Sequence, residues 1–171
     1  LVAGDGDPHR RATLVTVDQE AGAHMATQYL LDAGHETVWH VSGPSEWFDA
    51  AARRRGWQRT LERAGAEVPP VLPADWSAAA GYGAGRVLAR DPGVSAVFAA
   101  NDHLALGILR AMAEHGRDVP GQVSVVGFDD VPEAAYFIPP LTTVRADFDK
   151  VASETLSVLL AEISGEQDAP A

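Results

Sequence analysis

Three short polar side chains, Asp18, Asn101 and Asp129, each come directly after a run of apolar residues that is typical of a buried strand. In an open parallel sheet, ligands bind outside the carboxyl ends of the strands. Carboxylates and carboxamides there are rigid acceptors, and an amide adds two donors, which suits the hydroxyl groups of a sugar or polyol. Each residue singly could instead cap the following helix. Because three strand ends would converge on one edge, the pattern favours a polar ligand site.

Arg53 is a candidate for the same site. It lies four residues before Trp57, which lies four before Leu61, so the three share one helix face. An inward-facing guanidinium is a planar fork with five donors that can hold two hydroxyls or a carboxylate. The alternative is an internal salt bridge, for instance to Asp18 or Asp129.

Aromatic residues lie in predicted loops at this edge, namely Trp47, Phe48 and Trp76. Aromatic rings beside convergent polar groups are typical of pyranoside sites, where the apolar face of a sugar stacks on a ring. Core packing is the alternative for each ring singly.

Motifs for catalysis, metals and cofactors are absent from the sequence. Residues 81–85 carry three glycines, but they lie inside a predicted helix with the third glycine misplaced, so a dinucleotide loop is rejected. The histidines have no paired metal-ligand spacing, and no nucleophile–base pair stands out. We therefore expect no catalytic residue, no metal and no cofactor; a sugar-processing enzyme stays as a minor hypothesis that turnover of a glycoside would support.

The elements that position these residues alternate between strand and helix. Because the strands are continuous apolar runs, they predict an α/β protein with a parallel sheet buried between helices. The predicted strands are 12–17, 37–41, 71–72, 96–100 and 123–128, and the predicted helices are about 20–31, 50–64, 77–90, 103–115 and 147–164.

Composition bounds the class of protein. The chain has 171 residues, a formal net charge of −11 and no cysteine. The acidic charge repels phosphate backbones, so we do not expect these residues to bind nucleic acid by themselves. The absence of cysteine excludes disulfides and thiolate metal sites. No apolar run approaches the roughly 20 residues that span a bilayer, and no secretory signal precedes the first strand.

A series of short motifs resembles the LacI/GalR transcriptional regulators, in order and in spacing, from about residue 14 to 165. The motifs are Val17-Asp18-Gln19-Glu20-Ala21-Gly22, Val41-Ser42-Gly43-Pro44, Ala74-Asp75-Trp76-Ser77, Ala100-Asn101-Asp102-His103, Val126-Gly127-Phe128-Asp129-Asp130 and Pro139-Pro140-Leu141-Thr142-Thr143. The Asp-Trp-Ser element is especially similar to the lactose repressor branch.

The resemblance implies a type I periplasmic-binding-protein-like fold, in which parallel sheets flanked by helices form two subdomains. It implies that residues 34–143 form the C-terminal effector-binding subdomain and that residues 1–33 and 144–163 belong to the N-terminal one, with 164–171 as a tail. The family's helix-turn-helix domain has no counterpart here, so we expect a chain truncated at both ends.

By motif match, the resemblance also implies roles for single residues. The implied hydroxyl-binding residues are Asp18, Arg53, Asn101 and Asp129, and the implied aromatic wall is Trp76 with Phe148. Trp47 is a further ligand-binding candidate, in a loop that differs from the lactose repressor's own. The implied dimer interface contains Leu106, Leu109 and Phe137, for which intramolecular core is the alternative.

The function that the resemblance implies is the sugar-binding and dimerisation part of a cytoplasmic repressor. Its partners would be a small-molecule effector, namely a sugar or glycoside, a second copy of the chain, and operator DNA reached only through a missing N-terminal domain, with no membrane. Ligand-controlled closure of the subdomains would alter operator affinity. A periplasmic sugar-binding protein of a transport system is the alternative.

Overall fold

The computed structural model describes residues 2–3 and 14–164, without the side chains of residues 2, 3, 14, 148 and 162. The chain divides into two compact units, of which the larger is Gln19–Arg145 and the smaller joins Leu1–Asp18 to Ala146–Ala171. Most of the predicted tail, residues 165–171, lies outside the described residues.

The elements alternate along the chain as the apolar pattern predicts. The strands are β1 (Val2–Ala3), β2 (Leu14–Val15), β3 (Trp39–Ser42), β4 (Leu72–Pro73), β5 (Ala96–Ala99), β6 (Ser124–Asp129) and β7 (Thr142–Arg145). The helices are α1 (Gln19–Asp32), α2 (Phe48–Ala64), α3 (Ala78–Leu88), α4 (Asp102–Glu114) and α5 (Phe148–Ser164), and Pro132–Tyr136 forms a short 3-10 helix.

The larger unit is built on a parallel sheet of five strands in the order β4-β3-β5-β6-β7. Side chains of a strand alternate between its two faces. Val97 and Ala99 of β5 therefore join the core that α3 and α4 cover, while Phe98 stacks on His40, whose ring also contacts Trp57 of α2. The α/β fold with a helix-covered parallel sheet is confirmed.

Close approach of the helices explains why small residues recur on them. A Cβ on Gly22 of α1 would lie 2.6 Å from the ring of Phe128, and one on Gly56 of α2 would lie 2.3 Å from the carbonyl oxygen of Glu20. Such contacts let α1 pack directly on β6 and on α2.

One feature differs from the sequence-based expectations. Residues 142–145 form the edge strand β7, which is absent from the predicted strands because its half-exposed residues do not make a continuous apolar run. The larger compact unit begins at Gln19, because α1 packs against α2 and the sheet, and the subdomain boundary at residue 34 stays a prediction.

The smaller unit is a two-stranded parallel sheet, β1 with β2, against which α5 packs. Val158 of α5 is buried, whereas Leu156, Leu160 and Ile163 are exposed.

Candidate functional site

The carboxyl end of the five-stranded sheet brings together most of the predicted ligand-binding residues. Asp129 is the last residue of β6, Asn101 follows β5 and precedes α4, and Trp76 follows β4. Arg53 lies in the second turn of α2, and Trp47 immediately precedes that helix. Loops and helix starts of four elements therefore converge here.

Arg53 is the centre of this site. It is only 5% exposed. Its Nε donates to Gln19 Oε1 at 2.8 Å, and its Nη2 lies 3.1 Å from Asp129 Oδ1. Its Nη1 donates to the carbonyl oxygen of Ala100. The internal salt bridge to Asp129, which the sequence left open as an alternative, is present.

Two aromatic rings flank the guanidinium. Arg53 Cζ lies 3.8 Å from the ring centroid of Phe128 and 5.7 Å from that of Trp76. A guanidinium is weakly hydrated and stacks on aromatic faces, so the rings favour burial of this charge. Phe128 was not singled out from the sequence, where it reads only as the end of an apolar strand.

Burial sets the electrostatics of the pair. Burial raises the pKa of Asp129 above its ordinary value, and the nearby charge of Arg53 offsets part of that rise. Burial also lowers the pKa of Arg53, and the charge of Asp129 opposes this. An arginine remains charged after such a shift. The site therefore holds a cation beside a carboxylate that is costly to keep ionised.

The backbone at Asp129 is unusual. Asp129 has φ 109° and the next residue, Asp130, has φ 58°. Positive φ is uncommon for residues with a side chain, although aspartate tolerates it better than most. Strained conformations of this kind cluster at ligand-binding sites, where the surrounding structure must hold them.

Trp76 and Trp47 form the aromatic part of the edge. Their rings meet edge-on with centroids 5.9 Å apart. Trp76 lies directly against Gly43, where a Cβ would approach its ring to 2.3 Å. Trp76 Nε1 is buried without a hydrogen-bond partner among the described residues. Trp47 is 45% exposed.

Asn101 is used for structure. Its Oδ1 accepts from the backbone N–H of Leu104 at 2.8 Å, which makes it the N-cap of α4, and its Nδ2 donates to the carbonyl oxygen of Trp76 at 3.1 Å. The capping alternative therefore holds for this residue. One amide hydrogen of Nδ2 remains for another acceptor.

Asp18 and Phe148 belong to the smaller unit. Asp18 is exposed, and the strand before it, β2, pairs with β1 in a separate sheet. The single edge expected for three strands therefore carries two of them, because β2 is not part of the five-stranded sheet. Phe148 begins α5, and its side chain lies outside the described residues.

Two polar residues at this edge were missed from the sequence. Gln19 accepts the Arg53 Nε–H, and Asp102 is completely buried in the first turn of α4. Burial raises the pKa of Asp102, while hydrogen bonds from Thr143 and from the backbone of Val131 and Asp130 oppose the rise. Both residues look like ordinary helix-start residues in the sequence, because their hydrogen-bond partners lie far away along the chain.

The interface candidates differ in exposure. Leu106 is 38% exposed, whereas Leu109 is only 6% exposed and belongs to the core that covers one face of the sheet. Phe137 is partly buried against the same core. The core alternative therefore describes Leu109, because α4 turns that side chain towards the sheet.

Within the described residues, no group of three or more histidine, aspartate or glutamate side chains could hold a metal ion. None of the described helices is long and apolar enough to cross a membrane.

Comparison with known proteins places this geometry in a class. Residues 27–171 match the family described as a periplasmic binding protein-like domain. The chain resembles the solved transcriptional regulator CelR–cellobiose complex with a TM-score of 0.90 and 34% identity, over 98% of this chain and 53% of that one. It resembles the lac repressor dimer bound to operator and the anti-inducer ONPF with a TM-score of 0.88 and 30% identity, over 95% and 57%.

Curated relatives lead to the same family. The chain is 34% identical to the HTH-type transcriptional regulator CelR of Thermobifida fusca, over 96% of this chain and 49% of the relative. It is 33% identical to the lactose operon repressor of Klebsiella pneumoniae, over 95% and 46%. The chain belongs to the LacI/GalR family of transcriptional regulators. It spans about half the length of the curated relatives it matches.

Proposed function

We propose that this chain is the effector-binding and dimerisation part of a LacI-type transcriptional repressor, and that its effector is a sugar or glycoside. The observation that carries the proposal is the Arg53–Asp129 pair, buried beside Phe128 and Trp76 at the carboxyl end of the sheet. A buried ion pair at a ligand edge offers a donor fork and a charged acceptor side by side.

A sugar fits these groups. Vicinal hydroxyls can accept from a guanidinium and donate to a carboxylate, while the apolar face of the ring stacks on an exposed tryptophan such as Trp47. The similar CelR structure contains cellobiose, so a β-linked glucoside is the first ligand to test. By resemblance, Asp18, Asn101 and Phe148 would contribute further contacts.

In the full-length protein, the effector would bind one closure angle of the two subdomains better than the other. This differential affinity would bias the DNA-binding heads, because a ligand shifts a conformational equilibrium only by binding one state more tightly. Operator contact would come from a domain outside these residues, in a cytoplasmic homodimer that uses Leu106 and Phe137. No catalytic step is part of the proposal. The transport-protein alternative is not favoured, because the relatives named above are regulators.

The test is a thermal-shift and calorimetric screen of the full chain against cellobiose, lactose and ribose, with adenine as a ligand without hydroxyls. A sugar that binds the folded state raises its melting temperature. Asp129→Ala should weaken binding of that sugar at least about tenfold, because a hydrogen bond to a charged group contributes about 1.5–3 kcal/mol. The matched control is Asp32→Ala, an exposed aspartate at the end of α1.

Binding of none of the sugars, or equal binding by wild type and Asp129→Ala, would overturn the proposal. In the full-length protein, Asp129→Ala should keep operator binding and lose its response to the sugar. A variant that responds normally would contradict the role of this carboxylate.

A further inference from the structure

A second carboxylate lies behind the candidate site. Asp102 is completely buried at the start of α4, and it accepts hydrogen bonds from Thr143 and from the backbone of Val131. Burying a carboxylate costs free energy unless it is hydrogen-bonded. Asn101 already caps α4, so capping does not account for a buried carboxylate at Asp102.

The hydrogen-bond partners of Asp102 lie in the edge strand β7 and in the loop after β6. Its Oδ1 accepts from Thr143 Oγ1 of β7 at 2.6 Å, and its Oδ2 accepts from the backbone N–H of Val131 at 2.9 Å. One carboxylate thus joins α4 to the edge strand β7 and to the loop that leaves β6. Hydrogen bonds to an ionised acceptor are about twice as strong as neutral ones.

The loop that Asp102 holds contains the ligand candidate. Val131 directly follows Asp129 and Asp130, whose φ angles are 109° and 58°. Such a turn persists only when its surroundings fix it. Gly127 of β6 makes room for the anchor, because a Cβ there would lie 2.2 Å from Asp102 Oδ1.

We propose that Asp102 is a positioning residue for effector binding, which fixes the turn at residues 129–131 so that the Asp129 carboxylate faces Arg53 and the ligand. The inference rests on the proposed function, and it adds a residue that is not itself expected to touch the ligand. Its effect on the ligand passes entirely through Asp129.

The test is a double-mutant cycle with cellobiose as the probe, measured by calorimetry. Asp102→Ala removes both carboxylate oxygens, so the hydrogen bonds from the Val131 N–H and from the Thr143 hydroxyl are both lost. It should weaken binding about tenfold in the wild-type background and less than about twofold in the Asp129→Ala background, because the two residues act as one unit. Equal weakening in both backgrounds would show that Asp102 acts elsewhere and would overturn the inference.

A matched control is Ser124→Ala. It removes a hydrogen bond of similar length, 2.9 Å to His35 Nε2, from the opposite end of the same strand β6. Its affinity for cellobiose should stay within about twofold of the wild type. If it weakens binding as much as Asp102→Ala, general destabilisation of β6 is the cause and positioning is wrong.

A ligand-free measurement decides the question whether or not cellobiose binds. In Asp102→Ala, the NMR signal of the Arg53 Nε–H should shift and the amide of Val131 should exchange with solvent at least about tenfold faster, whereas neither should change in Ser124→Ala. Thr143→Val, which removes only the hydroxyl donor, should shift the same signals less and guards against an Asp102 variant that does not fold. Unchanged Arg53 and Val131 signals in both variants would overturn the inference alone, whereas indifference of sugar binding to Asp129→Ala would overturn the proposed function.

Discussion

At the amino end of the five-stranded sheet, His35 bridges the hydroxyls of Ser95 and Ser124 at 3.0 and 2.9 Å. At the carboxyl end, Arg53 bridges Gln19, the backbone of β5 and Asp129. Burial lowers the pKa of His35, which favours its neutral form. One end is therefore joined by neutral hydrogen bonds and the other by a buried ion pair.

The difference between the two ends indicates which interactions stabilise the fold and which suit the binding of a ligand. Neutral bridges link neighbouring strands without desolvating a charge, whereas a buried ion pair is weak evidence for stability because desolvation offsets its attraction. Because neutral hydrogen bonds are sufficient to link the strands at the amino end, the fold does not require a buried ion pair at the carboxyl end. The charged end is where a polar ligand gains most from fixed groups.

The largest expected effect comes from breaking the ion pair. Arg53→Met should lower the free energy of unfolding by about 3–5 kcal/mol, because it leaves a buried carboxylate unpaired. Arg55→Met is the matched control on the same helix, since Arg55 is exposed and pairs with Glu20 at the surface; it should cost less than about 1 kcal/mol. Urea unfolding followed by tryptophan fluorescence measures both, because Trp39, Trp47, Trp57 and Trp76 all lie in the larger unit. Equal losses would remove the distinction between the two ends.

The next effect concerns the neutral histidine beneath the site. Burial lowers the pKa of His40 from 6.5 to about 4, so between these values the unfolded chain binds a proton that the folded chain does not. Its contribution to stability is complete above pH 6.5 and is lost as the pH falls to about 4, by about 3 kcal/mol in all.

His40→Gln should flatten that part of the stability–pH curve, as measured by urea unfolding at pH 7, 6 and 5. His35→Gln is the control at the amino end, where burial is lower and the change of slope should be smaller. A wild-type slope that survives in His40→Gln would refute the assignment.

The smallest effect tests the packing of the aromatic edge. Gly43→Ala adds a methyl group against the ring of Trp76, and overpacking of this kind costs about 1–3 kcal/mol. Tryptophan emission should shift as the ring moves. Gly83→Ala, in α3 where nothing lies within 4 Å of the added Cβ, should leave emission unchanged and should not destabilise. The same emission from both variants would place Trp76 away from Gly43.

Most of the fold could be predicted from the sequence, because buried parallel strands such as β5 and β6 are short continuous apolar runs between helix signals. The edge strand β7 was missed because half-exposed strands lack that pattern. The packing of α1 on α2 could not be predicted from the sequence, because it depends on contacts between residues far apart in the chain.

Site residues could be predicted from the sequence where the spacing of a single residue shows which way its side chain faces. The helical spacing of Arg53 indicated an inward side chain, and the structure confirms its burial. Asp102 could not be found in this way, since its partners Thr143 and Val131 follow it at a long distance in sequence. A carboxylate in the first turn of a helix is ordinarily a surface residue, and only the tertiary fold makes this one an anchor.

The many contacts of Arg53 have a consequence for attempts to change the ligand choice of the proposed effector site. A change at Arg53 alters α1, α2, β5 and β6 together, so altered ligand choice and lost folding would be hard to separate in a library of variants. Within the part of the chain that the structure describes, the ring contact of Trp47 is with Trp76, and Trp47 is 45% exposed. Under the proposed function, randomising Trp47 and its neighbours before α2 would therefore vary the choice of ligand while sparing the contacts of Arg53 that hold the larger unit together.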